Sequence, residues 1–585
     1  MAERTSGSKR APAKKTVAKE AAAKKMVAKK AAAPRARATS RTEPAVEEAA
    51  APTASAPVSA AAPPGRRRSG RATAGIIVAL VLVVLAWTTL LRLGSQERGG
   101  PAHEHLSIGD DGIPATLFLP DDFDDDYELP DPKPLGERPP VVVMAHGYSA
   151  DRASMSGLAR SLARAGYGVL SIDLRGHGAN TNRFGGDLHD DFDAAVTWAQ
   201  ESSYFDADRV AVLGHSMGAG AALVFATEDE RPLAVIPVAG GWTLHDAVDP
   251  ANALFLVAEG DPGRIHDRQE DLAEDLEARG SNVEAHEIGG TDHITVLRSS
   301  DTVQRIVGFL DPIFGIEREG DLPGTDDPRF KTAGLYLLWT LGLLAVAGLL
   351  FGRLVPAGEA DEGAAQTAGA WTGFVLVAAA LLLTLPFLGV APIDPVPLGP
   401  GLPVAVSFAL ASGLLWGLRA LAQAGEVDVR LAGWVGDRRW LPTGRELAVG
   451  LAGGATVFVL LLPLAGVFHR LVPTPTRLVY WMLVTLLVLP FFAAFEALIR
   501  RGSPVRAEIQ AVLGRVVLLL VLLAGVQASV LPSVLGLVLP VLVGQYVIVE
   551  FFAAGAYARG RSTALIAVVD AFVVGWLVVT LTPVG

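Results

Sequence analysis

The pentapeptide Gly214-His215-Ser216-Met217-Gly218 holds a serine between two glycines, directly after the apolar run RVAVLGH and ahead of the small helix formers MGAGAALVFA. That order predicts a strand turning sharply into a helix, with Ser216 strained at the turn and the glycines leaving room for neighbouring chain. A serine so placed stands at a helix N-terminus, where backbone N–H groups stabilise developing negative charge, and its chemistry is attack on a carbonyl carbon. Upstream, PVVVMAHGYS ends a strand at His146-Gly147. The backbone N–H groups of Tyr148 and Met217 are then the candidate oxyanion donors. Downstream, ALFLVAEGDP ends a strand at Asp261, and IGGTDHITVL places His293 after a later strand. The order Ser, Asp, His is expected when strands deliver all three groups to one sheet edge. Asp246, Asp267 and Asp292 are other carboxylates near enough in sequence to compete with Asp261.

The elements that must position these groups lie between residues 94 and 331, where short apolar runs alternate with polar helical stretches and Gly/Asp-rich turns. Strands are expected at HLSIG, IPATLFLP, PVVVMAH, GVLSIDL, RVAVLGH, LAVIPVAG, ALFLVAEG and VEAHEIG, with helices between the later ones. The fold class is α/β, a mostly parallel sheet with helices on both faces. Five segments in order, AHGYS, SIDLRGHGAN, LGHSMGAG, VAEGDP and GTDHITV, make residues 105 to about 312 resemble the α/β-hydrolase family. The resemblance implies Ser216 as nucleophile, His293 as general base and then acid, and Asp261 as the group that orients the imidazole and stabilises its charge. Only about a dozen residues separate AVIPVAG from ALFLVAEG. That leaves little room for a cap, so the chain is most similar to small-lid members such as dienelactone hydrolases and prolyl-oligopeptidase-like domains, with an open site.

Several other residues invite chemistry and have plainer readings. His146 is expected to bond neighbouring loops and His215 to pack beside the elbow. Arg175–Gly178 reads as a tight loop at the sheet edge. His189-Asp190-Asp191 reads as a solvated helix start, since no second ligand group has metal-binding spacing, and no metal or cofactor is expected. Trp242 either lines the acyl pocket or packs in the core.

Half of the 585 residues are hydrophobic, more than a soluble enzyme usually carries. Cysteine is absent, which excludes disulfides, thiolate metal sites and thiol nucleophiles. Residues 73–93 form a first span, with arginines packed before it and Trp87 near its far edge. From residue 332 to 585 the chain is again apolar, with candidate spans at 332–352, 369–390, 402–422, 446–468, 476–499, 511–529, 533–555 and 563–582. An all-α transmembrane bundle of about eight helices follows. Arg430, Arg438, Arg439 and Arg445, then Arg500, Arg501 and Arg506, then Arg559 and Arg561 fall on one side, while Arg470 and Arg477 fall on the other. The positive-inside rule then puts the N-terminus in the cytoplasm and residues 94–331 outside. Glu496, Glu550 and Asp570 lie in or near spans, where charge is costly, and Arg419, Arg515 or Gln545 are expected to satisfy them in preference to an ion path.

The net charge of −11 hides an uneven distribution. Residues 1–72 are a basic Lys/Ala/Pro-rich stretch that predicts a disordered cytoplasmic tail, and DDFDDDYELPD at 121–131 is acidic. The tail lacks aromatics and adjoins a span, which favours anionic lipid headgroups over nucleic acid as its partner. The whole reads as a multi-pass protein of the cytoplasmic membrane whose outer domain hydrolyses a lipid or cell-envelope ester. A peptidase of the same fold, or a transporter or sensor whose outer domain recognises a ligand, are the alternatives.

Overall fold

The computed structural model describes residues 67–122, 131–185, 187–318, 322, 327–357, 365–384, 401–426, 439–529 and 534–583. Most of the basic tail (1–66), residues 123–130 of the acidic run, Arg430 and Arg438 lie outside the described residues.

After helix α1 (Arg67–Arg98), the strands are β1 (Pro101–Ile108), β2 (Ile113–Asp122), β3 (Val141–Ala145), β4 (Gly168–Ile172), β5 (Val210–His215), β6 (Ala234–Val238), β7 (Asn252–Ala258) and β8 (Asn282–Ile288). They form one sheet in the order β1-β2-β4-β3-β5-β6-β7-β8. β2 runs antiparallel to both of its neighbours and every later pairing is parallel. Helices α2 (Ser156–Arg164), α3 (His189–Glu201), α4 (Met217–Ala226), α5 (Gly263–Arg279) and α6 (Ser300–Ile313) cover it. Alternation along β3 shows how two layers arise from one strand. Val141, Val143 and Ala145 join a core with Phe192, Ala222 and Leu272 of α3, α4 and α5. Val142 and Met144 join the opposite core with Leu158, Leu162, Ile306 and Leu310 of α2 and α6. Each such buried aliphatic side chain contributes about 1.5–3 kcal/mol, so central strands covered on both faces read as unbroken apolar runs. The sheet is therefore a mostly parallel one covered on both faces, as the α/β class requires.

The remaining helices are α7 (Pro328–Phe351), α8 (Ala365–Thr384), α9 (Gly401–Ala424), α10 (Gly444–Leu461), α11 (Pro475–Ile499), α12 (Pro504–Gln527), α13 (Val534–Gly560) and α14 (Thr563–Leu581). Among the described residues, α1 and seven of these are long and apolar enough to cross a membrane, which makes this a multi-pass membrane protein; α8 is apolar over its shorter described stretch, Thr372–Thr384. The two extremes of burial define the bundle. α1 leaves Ile76, Val84 and Trp87 more than half exposed, whereas α14 is buried along almost its whole length and forms the centre. α7 and α13 touch backbone to backbone, because Gly348, Gly352 and Gly555 present no side chain at their crossing.

Buried charge in the bundle meets the sequence expectation at Arg515 and adds a partner it does not include. Arg515 does pair with Glu496 (3.1 Å), Glu550 (2.8 Å) and Asp570 (2.8 Å). Arg500, a cytoplasmic loop charge by the positive-inside pattern, shares this role: it is fully buried and binds Glu496 (2.5 Å), Glu508 (2.8 Å) and Glu550 (2.9 Å). Arg419 instead stacks on Trp440, 4.6 Å from the ring centre, and the Gln545 amide makes no hydrogen bond. A carboxylate in a bundle is matched by the guanidinium that geometry brings, and the chain reversal after α11 turns Arg500 inward. Removing one partner of such a cluster costs about 3–5 kcal/mol. Arg515→Met is therefore expected to lower the thermal midpoint of the purified protein sharply, and Asp570→Asn in the same chain to recover part of it; an unchanged midpoint in Arg515→Met would show the cluster to be structurally idle.

Candidate active site

The elbow forms as the spacing predicts. β5 ends at His215, α4 begins at Met217, and Ser216 between them takes φ 53° and ψ −110°. A methyl group at Gly214 would be driven into the Gly218 carbonyl, and one at Gly218 would lie 2.6 Å from the His146 carbonyl oxygen. The first turn of the helix after Ser216 and the end of β3 thus pass in direct backbone contact. Met217 is the first residue of α4, so its N–H has no acceptor within the helix. Tyr148 follows the Gly147 turn, and both Tyr148 and Met217 line the same cleft as Ser216 and His293.

The loops after β7 and β8 bring two more groups to this edge. His293 Nδ1 donates to Asp261 Oδ1 at 2.6 Å, which leaves Nε2, 3.0 Å from Ser216 Oγ, as the acceptor for the serine proton. Asp261 is held in turn by the Ala258 N–H at 2.9 Å. The competing carboxylates are occupied elsewhere. Asp246 is largely exposed and pairs with Arg279, Asp267 is exposed on α5, and Asp292 caps its own turn by accepting from Ile294 and Thr295 N–H.

Two histidines brace the elbow. His146 Nδ1 donates to the Gly147 carbonyl at 2.8 Å and its Nε2 accepts from Leu174 N–H at 3.1 Å, tying the turns after β3 and β4 together. His215 Nε2 donates to the His293 carbonyl at 2.7 Å. Burial pushes both imidazoles down, His215 to about 3, so both are neutral and serve as hydrogen-bonding braces. The Arg175–Gly178 loop wraps Asp173, whose carboxylate accepts from Arg152 and from Ala179 N–H. His189 does begin α3, but Asp191 is fully buried and binds Arg175 at 3.0 Å; this corrects the solvated reading of that triplet, because the returning loop supplies a counter-charge.

The cleft holds about 580 Å³. Trp242 stands at it, 47% exposed, so it lines the cleft and is not core. Residues 239–251 between β6 and β7 contain no helix or strand, and no described residue of the bundle lines the cleft. Leu188, Val224, Thr243, Arg264 and Ile265, which sequence reasoning did not single out, are also part of its wall; nothing but proximity in the fold marks them.

The bundle reaches the site from behind. His469, in the loop between α10 and α11, pairs with Asp151 at 2.7 Å, and Arg470 N–H donates to the same carboxylate at 2.6 Å. Arg477 donates to the Gly176 carbonyl at 2.6 Å and to the Thr582 carbonyl at 2.7 Å. Arg477, assigned to an outer loop by charge counting, is thus buried on the hydrolase-facing side. The turns at 147–151 and 175–180 are thus fastened to the bundle, one to the α10–α11 loop and the other to the start of α11. Burial would push His469 down, but Asp151 outweighs it and holds the imidazole above its ordinary value. Burial opposes ionisation of Asp151 too, yet His469 and the Arg470 N–H hold its carboxyl below the usual range. The contribution of a raised histidine is complete below about pH 6.5 and is lost as pH rises through its raised value, while Asp151 stays ionised throughout that window. The thermal midpoint is therefore expected to fall as pH rises above about 6.5 and to lose that step in His469→Gln; an identical pH profile in the variant would show that the bridge contributes nothing.

The serine aminopeptidase S33 family matches this chain over residues 136–287. Dipeptidyl aminopeptidase BIII of Pseudoxanthomonas mexicana is 34% identical over 94 residues, 14% of each chain. The quorum-quenching protein AidA of Acinetobacter baumannii is 31% identical over 127 residues, 20% of this chain and 42% of its own. The chain thus spans less than half the length of these curated relatives. A solved esterase of Pyrobaculum calidifontis aligns with a TM-score of 0.30 at 19% identity, over 41% of this chain and 93% of its own. The sheet order and the family match give residues 101–313 the α/β-hydrolase fold.

Proposed function

We propose that this membrane protein is a serine hydrolase that cleaves ester-type substrates, lipid or cell-envelope in origin, on the outer side of the cytoplasmic membrane. The observation that carries the reading is the chain of contacts from Asp261 through His293 to Ser216, ending in an elbow that opens on an uncapped cleft. In this reading Ser216 Oγ attacks the carbonyl carbon as His293 Nε2 takes its proton, and the N–H groups of Tyr148 and Met217 receive the oxyanion. His293 then returns the proton to the leaving oxygen, the acyl group stays on Ser216, and water repeats the sequence to release it. Asp261 keeps the imidazole in the tautomer that can accept and stabilises it once charged.

The cleft favours esters over an aminopeptidase substrate. A peptide's free ammonium needs a carboxylate to receive it, whereas the described lining residues include no Asp or Glu and one arginine, Arg264. Leu188, Val224, Trp242 and Ile265 offer apolar surface for an acyl or alcohol chain. Arg439, Arg445, Arg559 and Arg561 at the helix ends away from the hydrolase-fold domain support its outward placement by the positive-inside rule. Anchoring beside the bilayer raises the effective concentration of membrane-borne substrate.

Purified full-length protein in nanodiscs is expected to turn over p-nitrophenyl esters faster than aminoacyl p-nitroanilides, and Ser216→Ala to lose about 10³-fold or more of that rate. Faster anilide cleavage would favour the peptidase, and an active Ser216→Ala would place the chemistry elsewhere.

A further inference from the structure

A second cavity, of about 390 Å³, lies at the seam between the hydrolase-fold domain and the bundle, away from Ser216. Its wall includes Arg152 and Arg160 from the sheet domain, Arg329 at the start of α7, Arg470 from the loop before α11, and Glu97 and His103 near the end of α1. Four guanidiniums from three separate stretches of chain converge on one space. Two are matched: Arg152 binds Asp173, and Arg329 binds Asp327 at 2.6 Å. The other two are not matched so closely. Arg160 is 1% exposed and bonds through Nη2 alone, to the His103 ring at 3.2 Å and to Glu97 at 3.5 Å, while its Nε and Nη1 make no hydrogen bond. Arg470 has its guanidinium 3.4 Å from the Val472 carbonyl, a marginal contact. The second acid in the wall, Asp151, is taken up by His469 and the Arg470 backbone.

A guanidinium does not give up its proton inside a protein, so a buried one short of hydrogen-bond acceptors carries a desolvation cost of several kcal/mol. Burial, and after it the like charge of Arg329, disfavours the Arg160 charge without removing it near neutral pH. Proteins settle such a deficit with an anion, and arginine's planar fork matches the oxygens of phosphate. Position supplies the rest of the argument. The cavity is bounded by the last residues of the α1 span, the first of the α7 span and the loop joining α10 to α11. These are the levels at which apolar helices leave hydrocarbon, and so the depth of lipid headgroups.

We propose that this seam cavity binds a phosphate-bearing anion, the headgroup of a membrane phospholipid or free phosphate, between Arg160 and Arg470. The anion supplies the acceptors that Arg160 Nε and Nη1 lack and joins the sheet domain to the bundle outside the Ser216 cleft.

The test uses the full-length protein, delipidated in a neutral detergent, with its thermal midpoint followed as dihexanoyl phosphatidylglycerol or inorganic phosphate is added, and with sodium chloride at matched ionic strength as reference. A saturable rise above the chloride reference is expected with at least one phosphate probe, with half-saturation shifted about 10-fold or more in Arg470→Gln and in Arg160→Gln. Tighter binding of the short-chain lipid assigns the site to a headgroup; tighter binding of inorganic phosphate assigns it to the free ion. If Arg160→Gln does not fold, Arg470→Gln decides alone, because Arg470 is half-buried and leaves no cavity in a core. No rise beyond chloride with either probe, or equal half-saturation in wild type and Arg470→Gln, overturns the proposal.

Discussion

Ser216 sits where three stretches of backbone pass one another with no space for an added carbon. Gly214 faces the Gly218 carbonyl, Gly218 faces the carbonyls of Ala145 and His146, and Gly240 lies against the Ser216 backbone itself. Ser216 N–H donates to the Val238 carbonyl at 2.8 Å, which locks the elbow to β6. A non-glycine residue at φ 53° and ψ −110° costs on the order of 1–3 kcal/mol and persists only when its surroundings hold it. Those surroundings are the same strands that deliver the other groups. β3 brings the Tyr148 turn, β7 brings Asp261, and the loop after β8 brings His293. The strain at one serine is thus balanced by the packing of the sheet edge on which the cleft is built.

The bundle extends that constraint. The turn bearing Tyr148 is bonded at Asp151 to His469 and Arg470, and the turn that bonds His146 is held at Gly176 by Arg477. Movement of the α10–α11 loop would therefore be felt at both turns without any bundle residue entering the cleft. The charged cluster around Arg500 and Arg515 keeps four helices in fixed relation at the far end. Buried ion pairs add little net stability over apolar packing, but they discriminate strongly against misregistered helices, since each slip leaves a charge unpaired.

What was legible in the sequence was whatever local pattern determines. The apolar runs fall in strands, and the G-x-S-x-G context produces the elbow because glycine spacing and the strand-to-helix change are both local. The hydrophobic stretches from residue 332 onward become helices for the same reason. Helix ends shift where caps, not hydropathy, set them: α12 begins at Pro504, several residues before the expected 511, because proline is suited to a first helical position. What sequence did not reveal depends on contacts between distant segments. His469 and Arg477 look like ordinary loop residues, yet their partners lie some 300 positions away. Arg500 was counted as a solvated charge because a charge rule treats every loop arginine alike. Asp191 looked solvated because nothing local announces that Arg175 folds back onto it.

The account rests on Ser216 being an activated nucleophile, and covalent mapping addresses this most directly. Full-length protein in lipid nanodiscs is treated with a fluorophosphonate, digested, and the modified peptide sequenced by mass spectrometry. The geometry predicts one adduct, on Ser216, formed at a rate that collapses in His293→Ala. An adduct on another residue, or none under conditions that fully label a control serine hydrolase, would contradict it.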